Sequence, residues 1–505
     1  MGHSSSSGTW ETDANWIPLG VPGFGDDAIL AAGFATLSTT ITVNSIAISG
    51  ATLDIKNPGG TETVTGGLTI TGLGRLSLDA NYLGGLGGNS LTIGGVLTNT
   101  GTDINGLNIG NIGITSANKV TAGGLVNNGH INIAGSAAAQ STLPIAGVAG
   151  FGTVGLETGV VSLQRNALLQ FASGQIATIN GQVYLDGANA RIAIASDTST
   201  NSALVGLQAV VGDFHLLNGA SVGATSGGLS ILGAGRVGLD ANYIGGAGGS
   251  SLTIGGVLTN TSTDVNALNI GNVGITSANT VTATGLVNTG RINIVGGAVA
   301  QSTLNITNAA GFGTAGVETG FVYLESNALL QFGGGQIGTI NGTVWLNGEN
   351  ARIANSNFPS TNSTMLGLKT VAGDLILENG ASVSPEGALS IVGTGRVALD
   401  AHYIGGLGGS TLTIAKILTN SSTDVNGLSI GNSGITSDVT VTASELVNTG
   451  QINLIGSSTA QATLRVTAGG VSFGTPREQT GFVHLQGNAL LEFPFGWIET
   501  LKGTL

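Results

Sequence analysis

The chain has 505 residues, of which 88 are glycine and only 8% are charged, and its 14 Lys and Arg against 27 Asp and Glu give a net charge of −13. Soluble domains carry about 7% glycine and about 25% charged residues, so this is not an ordinary enzyme composition. The acidic balance also excludes the basic stripe of a nucleic-acid binder and is repelled by anionic membrane surfaces.

Cysteine is absent, which removes disulfides and thiolate metal sites. The mean hydropathy of +0.35 is high. Even so, Gly, Asn, Ser and Thr interrupt every apolar run before the roughly 18 to 20 residues that a membrane-spanning helix needs. With 41% hydrophobic residues the chain has ample surface to bury, which argues against disorder.

The first seven residues, MGHSSSS, lack an apolar segment and read as a leader, not a secretory signal. Residues 8–50 follow as an N-terminal cap with the first coils. Here Trp10, Trp16, Pro18 and Pro22 stand beside the acidic pair Asp26 and Asp27 in a chain that otherwise avoids such residues. A stack of strands exposes an open core and unpaired backbone at its end, so the bulky residues are expected to form a lid, with the acids repelling another end. An aromatic platform for stacking sugars is the alternative.

The rest repeats. "GRLSLDANYLGGLGGNSLTIGGVLTN" starts at Gly74 and returns in recognisable form at Gly235 and Gly395, offsets of 161 and 160 residues. This gives solenoid units at 51–220 and 221–380 and an incomplete third at 381–505. Within a unit, a small polar residue precedes alternating apolar positions at Asn89, Asn118, Ser141, Asn166 and Asn189, at spacings of 29, 23, 25 and 23 residues. Runs of period two bounded by Gly, Asn and Ser are strands, and no segment has the period or caps of a helix. Coils of this length predict an all-β, right-handed parallel β-helix of about twenty coils, a rod on the order of 100 Å at about 4.8 Å per coil. Gly and Asn suit the corners, and recurrent Asn127, Asn128, Asn288 and Asn448 suit bonding between coils. At the C-terminus Pro494, Phe495 and Trp497 are either a modest cap or part of a longer rod cut at Leu505; the cut is the expectation.

The pattern "W…NW…G.PG.GDDAIL" with "LTIGGVLTNTG", "LVNTGRINI" and "NALLQF" resembles the large secreted β-solenoid passengers of Gram-negative bacteria, the autotransporter and filamentous-haemagglutinin-like adhesins. The resemblance runs from Gly8 to Leu505 and implies an extracellular or cell-surface location. It also implies a part in adhesion, biofilm or surface assembly, with host or bacterial surface glycans or proteins, or copies of the chain itself, as partners. Neither a membrane-inserted segment nor a nucleic-acid partner is expected.

Catalytic chemistry finds little support. "GGLGGNSLT" nearly matches a calcium-binding nonapeptide, but Asn89, Ser250 and Ser410 stand where the carboxylate belongs, so no metal or other cofactor is expected. Polysaccharide-cleaving β-helices use clustered carboxylates, and Asp79 with Arg75, Asp240 with Arg236 and Asp400 with Arg396 are candidates. Their recurrence in every unit favours neutralised pairs at a corner, each on one strand face, over one catalytic site. His130 gives way to Arg291 and Gln451, as at a solvated position. The chain is expected to be no enzyme. Two features suit binding: the polar loops 196–202 and 355–364, which carry Asn201 and Asn357, and the tyrosines Tyr82, Tyr243 and Tyr403, one per unit. A self-associating filament or sheath subunit is the alternative function, and a polysaccharide-cleaving enzyme the third.

Overall fold

The computed structural model describes residues 2–5, 8–468, 473–474, 477–494 and 498–504. It is all-β, 2% helical, with parallel strands stacked as a β-solenoid of about 19 turns. The short helical pieces are 3₁₀ turns such as Ser363–Gly367, and none of the described helices is long and apolar enough to cross a membrane. The chain divides into two compact units, Met1–Asp240 with Ala247–Gly255, and Ala241–Gly246 with Gly256–Leu505.

In the first unit one face is a ladder that runs through Leu68–Ile70, Ser90–Asn99, Asn118–Asn127, Ser141–Val148, Ala167–Ser173 and Arg191–Ile194. A second face runs through Ala51–Ile55, Arg75–Leu78, Leu107–Ile109, His130–Ala134, Val160–Gln164, Gln182–Asp186 and Asp213–Leu217. Alternation fixes which side chains go inward. In His130–Ala134, Ile131 and Ile133 are buried while His130 and Asn132 are partly exposed, and Ile131 stacks between Leu107 and Val161. Each such aliphatic side chain contributes about 1.5–3 kcal/mol, and in-register stacking repeats the gain at every coil.

The second unit uses the same grammar. Arg291–Val295, Phe321–Glu325, Thr343–Asn347, Asp374–Glu378 and Arg396–Leu399 pair in parallel on one face, followed by Leu428–Ile430, Gln451–Ile455 and Phe482–Gln486. Asn279–Ala283, Ser302–Ala309, Ala328–Gly334 and Arg352–Asn355 pair on another.

The corners carry the polar residues. Asn99 donates to Asn127 Oδ1 at 2.9 Å, Asn260 to Asn288 at 2.8 Å and Asn420 to Asn448 at 2.9 Å, all fully buried. Asn127, Asn288 and Asn448 therefore bond between coils as their recurrence predicts, whereas Asn128 faces solvent. Gly110, at φ +76°, turns a corner where a Cβ would collide with the Ala134 carbonyl and the Ser141 hydroxyl.

Asn89 and Asn118 align with Ser141, and Ser141 pairs with Ala167 rather than Asn166. One extra residue in that coil keeps Leu169 opposite Leu143 in the core, and a slip of one would turn it outward. The Arg and Asp candidates do not pair within a strand. Asp79, Asp240 and Asp400 sit at φ +51°, +44° and +43°, which turns them off the strand into buried corners. Asp240 accepts the Asn218 N–H at 2.8 Å and Asp400 the Asn379 N–H at 2.9 Å, while Asn89 donates to Asp79. The arginines reach other coils: Arg75 to Asp103 at 2.6 Å, and Arg236 and Arg396 through forked bonds of 2.6–2.7 Å to Asp213 and Asp374.

At the N-terminal end Gly2–Ser5 pairs in parallel with Asp27–Leu30 and antiparallel with Trp16–Ile17, so part of the expected leader belongs to the sheet. Phe495, Trp497 and Leu505 lie outside the described residues, as do Met1, Ser6 and Ser7; Pro494 is exposed.

Candidate functional site

Parallel pairing in register places equivalent outward side chains of the second face in columns, about 4.8 Å apart. One column of the first unit reads Ser77, Asn108, Asn132, Ser162, Tyr184 and His215. In the second unit the matching column begins Asn269, Asn293, Tyr323 and Trp345. The Tyr184 and His215 rings are 4.7 Å apart, and those of Tyr323 and Trp345 are 5.3 Å apart, edge to face. A run of amides thus passes into a run of aromatics.

Two loops wall this column. After Asp79 or Asp400 the chain leaves the strand in a tight turn and brings a tyrosine toward the face, with the Arg75 guanidinium 6.0 Å from the Tyr82 ring centre and that of Arg396 5.8 Å from Tyr403. The opposite wall presents Ile104, Val265 and Val425, each more than 60% exposed. An asparagine of the column ties each of these in place: Asn132 donates to the Ile104 carbonyl at 2.8 Å, Asn293 to Val265 at 3.1 Å and Asn453 to Val425 at 2.9 Å.

Between the walls lies a groove that is present in the first and second copies of the repeat. In the first it has a volume of about 360 Å³ and is lined by Tyr82, Ile104, Asn105, His130, Asn132 and Gln164 among others. In the second it has about 310 Å³, with Tyr243, Val265, Asn266, Arg291, Asn293 and Tyr323. Five of these pairs, from Tyr82 and Tyr243 to Asn132 and Asn293, are related by 161 residues, so the repeat builds the same concavity twice. An aromatic ring, an aliphatic tip and several amides around a shallow groove suit a ligand with an apolar face and a rim of hydroxyls.

The floor differs between copies. Arg291 lies with its guanidinium carbon 3.9 Å from the Phe321 ring centre and donates through Nε to Asn293 Oδ1 at 2.9 Å. Gln451 makes the same bond to Asn453 at 2.9 Å. Burial pulls the Arg291 pKa below its ordinary value. Burial is also the largest influence on Tyr323, which is pushed up to about 12; its hydroxyl donates to Glu325 at 3.0 Å and accepts from Asn347 at 3.1 Å.

Among the residues singled out from sequence, Tyr82 is 40% exposed and Tyr243 and Tyr403 are half-buried. Tyr403 packs on Ile376, Ala398 and Ala401, so it is partly a packing residue. Asn357 is exposed, next to the exposed Phe358. Asn201 is not a surface group. It is buried, accepting the Ile192 N–H at 2.7 Å and donating to the Ser221 carbonyl at 2.7 Å, and Asn362 repeats the pattern with Ile353 and Ser382. An amide that satisfies two backbone groups at a corner is not free to bind a partner.

Trp10 and Trp16 have no exposed ring face for a sugar: they are 1% and 0% exposed, 4.6 Å apart edge to face, and the Trp16 indole N–H donates to the Trp10 carbonyl at 2.7 Å. Pro22 is buried and Pro18 exposed. Asp26 accepts the Gly23 N–H at 3.1 Å, and Asp27 accepts from Asn44 at 2.7 Å and Ser45 at 2.5 Å. Those bonds hold a turn and the next coil.

Sequence reading missed Ile104, Val265 and Tyr323, and it took Arg291 for a solvated position where the structure has it half-buried on the groove floor. The first two were signalled by an apolar residue recurring inside polar "TDIN" and "TDVN" segments. Neither the role of Arg291 nor the presence of Tyr323 had a signal, because only stacking brings the two strands together. No protein-family model, curated protein or solved structure matches the chain.

Proposed function

We propose that the chain is a non-enzymatic adhesive β-solenoid of a bacterial surface or its surroundings, built of three right-handed units, which holds glycans in its repeated groove. The observation that carries this reading is the recurrence of the Tyr82–Ile104–Asn132 groove as Tyr243–Val265–Asn293. Structural stacking alone needs neither an exposed aliphatic tip nor an open concavity at the same place in both. Two weak sites on one chain raise the avidity for a polymeric glycan when one polymer engages both, because the second engagement is then intramolecular. The fold supports the resemblance to secreted solenoid adhesins, and adhesion, biofilm or surface assembly follows from that resemblance.

The test is retention on immobilised polysaccharides. The parent chain should be retained and the double variant Tyr82→Ala, Tyr243→Ala should elute early with an unchanged β spectrum. Equal retention of both would remove the groove from the account.

Self-association is a second reading, favoured by Ile17, Leu19 and Phe24, which are each more than 70% exposed within eight residues of chain. Light scattering across concentration decides it: growth of assemblies abolished by Leu19→Ser and Phe24→Ser supports it, and a concentration-independent monomer rejects it.

A further inference from the structure

Resting on the glycan reading above, we infer that the groove of the second unit is built for an acidic sugar, a pyranose carboxylate, with the Arg291 guanidinium as its counter-ion. Arg75, Arg236 and Arg396 each have an aspartate within 2.7 Å. Among the described residues the half-buried Arg191, Arg291 and Arg352 form no ion pair in a chain of net charge −13; Arg191 and Arg352 donate instead to the Thr198 and Ser360 carbonyls at 3.4 and 3.0 Å, whereas the terminal nitrogens of Arg291 meet no carbonyl. A cation that loses water without gaining an anion is held at a cost, and the lowered pKa has this origin.

The geometry sets the class of anion. Phe321 stacks against the guanidinium and Asn293 takes its Nε, so the plane is fixed and the two terminal nitrogens remain for a partner. A fixed pair of parallel N–H donors matches the two oxygens of a carboxylate. Tyr243 and Val265 flank the same groove and can meet the apolar face of the ring. The equivalent positions supply internal controls, since His130 stands there in the first unit and Gln451 in the third copy of the repeat.

The experiment titrates the full chain with a galacturonate oligosaccharide and with a neutral galactose oligosaccharide of equal length, before and after Arg291→Gln. Gln451 already occupies this place and makes the same bond to asparagine, so the variant keeps the local structure. The expected result is a loss of about tenfold or more in affinity for the acidic ligand, with the neutral ligand unchanged. His130→Arg, in the groove of the first copy, should raise affinity for the acidic ligand. If the neutral ligand binds and Arg291→Gln leaves the acidic one unaffected, the carboxylate assignment is overturned while the glycan reading stands. If neither ligand binds the parent chain, both are overturned.

Discussion

The Gly181 N–H donates to Glu157 Oε2 at 3.0 Å, inside a corner where the carboxyl is 1% exposed and its other oxygen has no hydrogen-bond partner. Gly342 and Glu318 repeat the arrangement at 3.1 Å, and in the third copy Gly503 donates to Gln479 at 2.9 Å. Gln479 uses its Nε2 to reach the Thr480 and Gly481 carbonyls, both at 3.1 Å. A protonated glutamic acid is the isostere of that amide, and burial pushes both Glu157 and Glu318 up to about 8.

Stability therefore falls with rising pH through this pair. The unfolded chain releases these protons near the ordinary value of 4.5, while the folded chain keeps them to about 8. Their contribution is complete below the first value and is lost as pH climbs through the second. Melting temperature should drop across that window, and Glu157→Gln with Glu318→Gln should flatten the drop relative to the parent. The difference between the two curves isolates these groups from His215, whose buried neutral ring, pulled down to about 4, acts in the opposite sense at acid pH. Parallel curves would show that the carboxyls are not protonated in the fold.

Asn99 donates both to Asn127 and to the His130 carbonyl, each at 2.9 Å. Asn99→Ala should leave those acceptors unsatisfied at a cost of about 1–3 kcal/mol. The loss should be local, because each coil contacts only its neighbours. Hydrogen exchange should quicken around residues 99–130 and stay slow in the later coils. Uniform loss of protection would mean that the solenoid unfolds as one block.

Trp16 lies on the strand that pairs antiparallel with Gly2–Ser5, and Trp10 packs edge to face against it. Replacing both by Ser should remove a large buried volume at one end and expose parallel strand edges. Faster exchange in residues 8–50, with growth in light scattering, is the expected outcome. Unchanged N-terminal protection would rule out the cap.

Strands were legible because their burial has period two: Leu91, Ile93, Val120 and Ala122 alternate inward as read. The asparagine ladder was legible from recurrence. Pairing across coils was not. Arg236 and Arg396 find Asp213 and Asp374 in the preceding coil, but Arg75 faces Thr52 there and turns to Asp103 instead. Nothing within one strand encodes that choice. The groove escaped for the same reason, since its walls and floor come from successive coils. Asn201 looked like an exposed loop residue, and only the structure reveals the two backbone groups it satisfies.

Glycan binding in the repeated groove is read most directly from the binding stoichiometry of a short monovalent glycan, by titration calorimetry on the full chain and on Tyr82→Ala and Tyr243→Ala singly. More than one equivalent should bind to the parent, with each substitution removing one and leaving the rest at unchanged affinity. A stoichiometry that neither substitution alters, or an absence of binding across neutral and acidic glycans, would contradict binding in the groove.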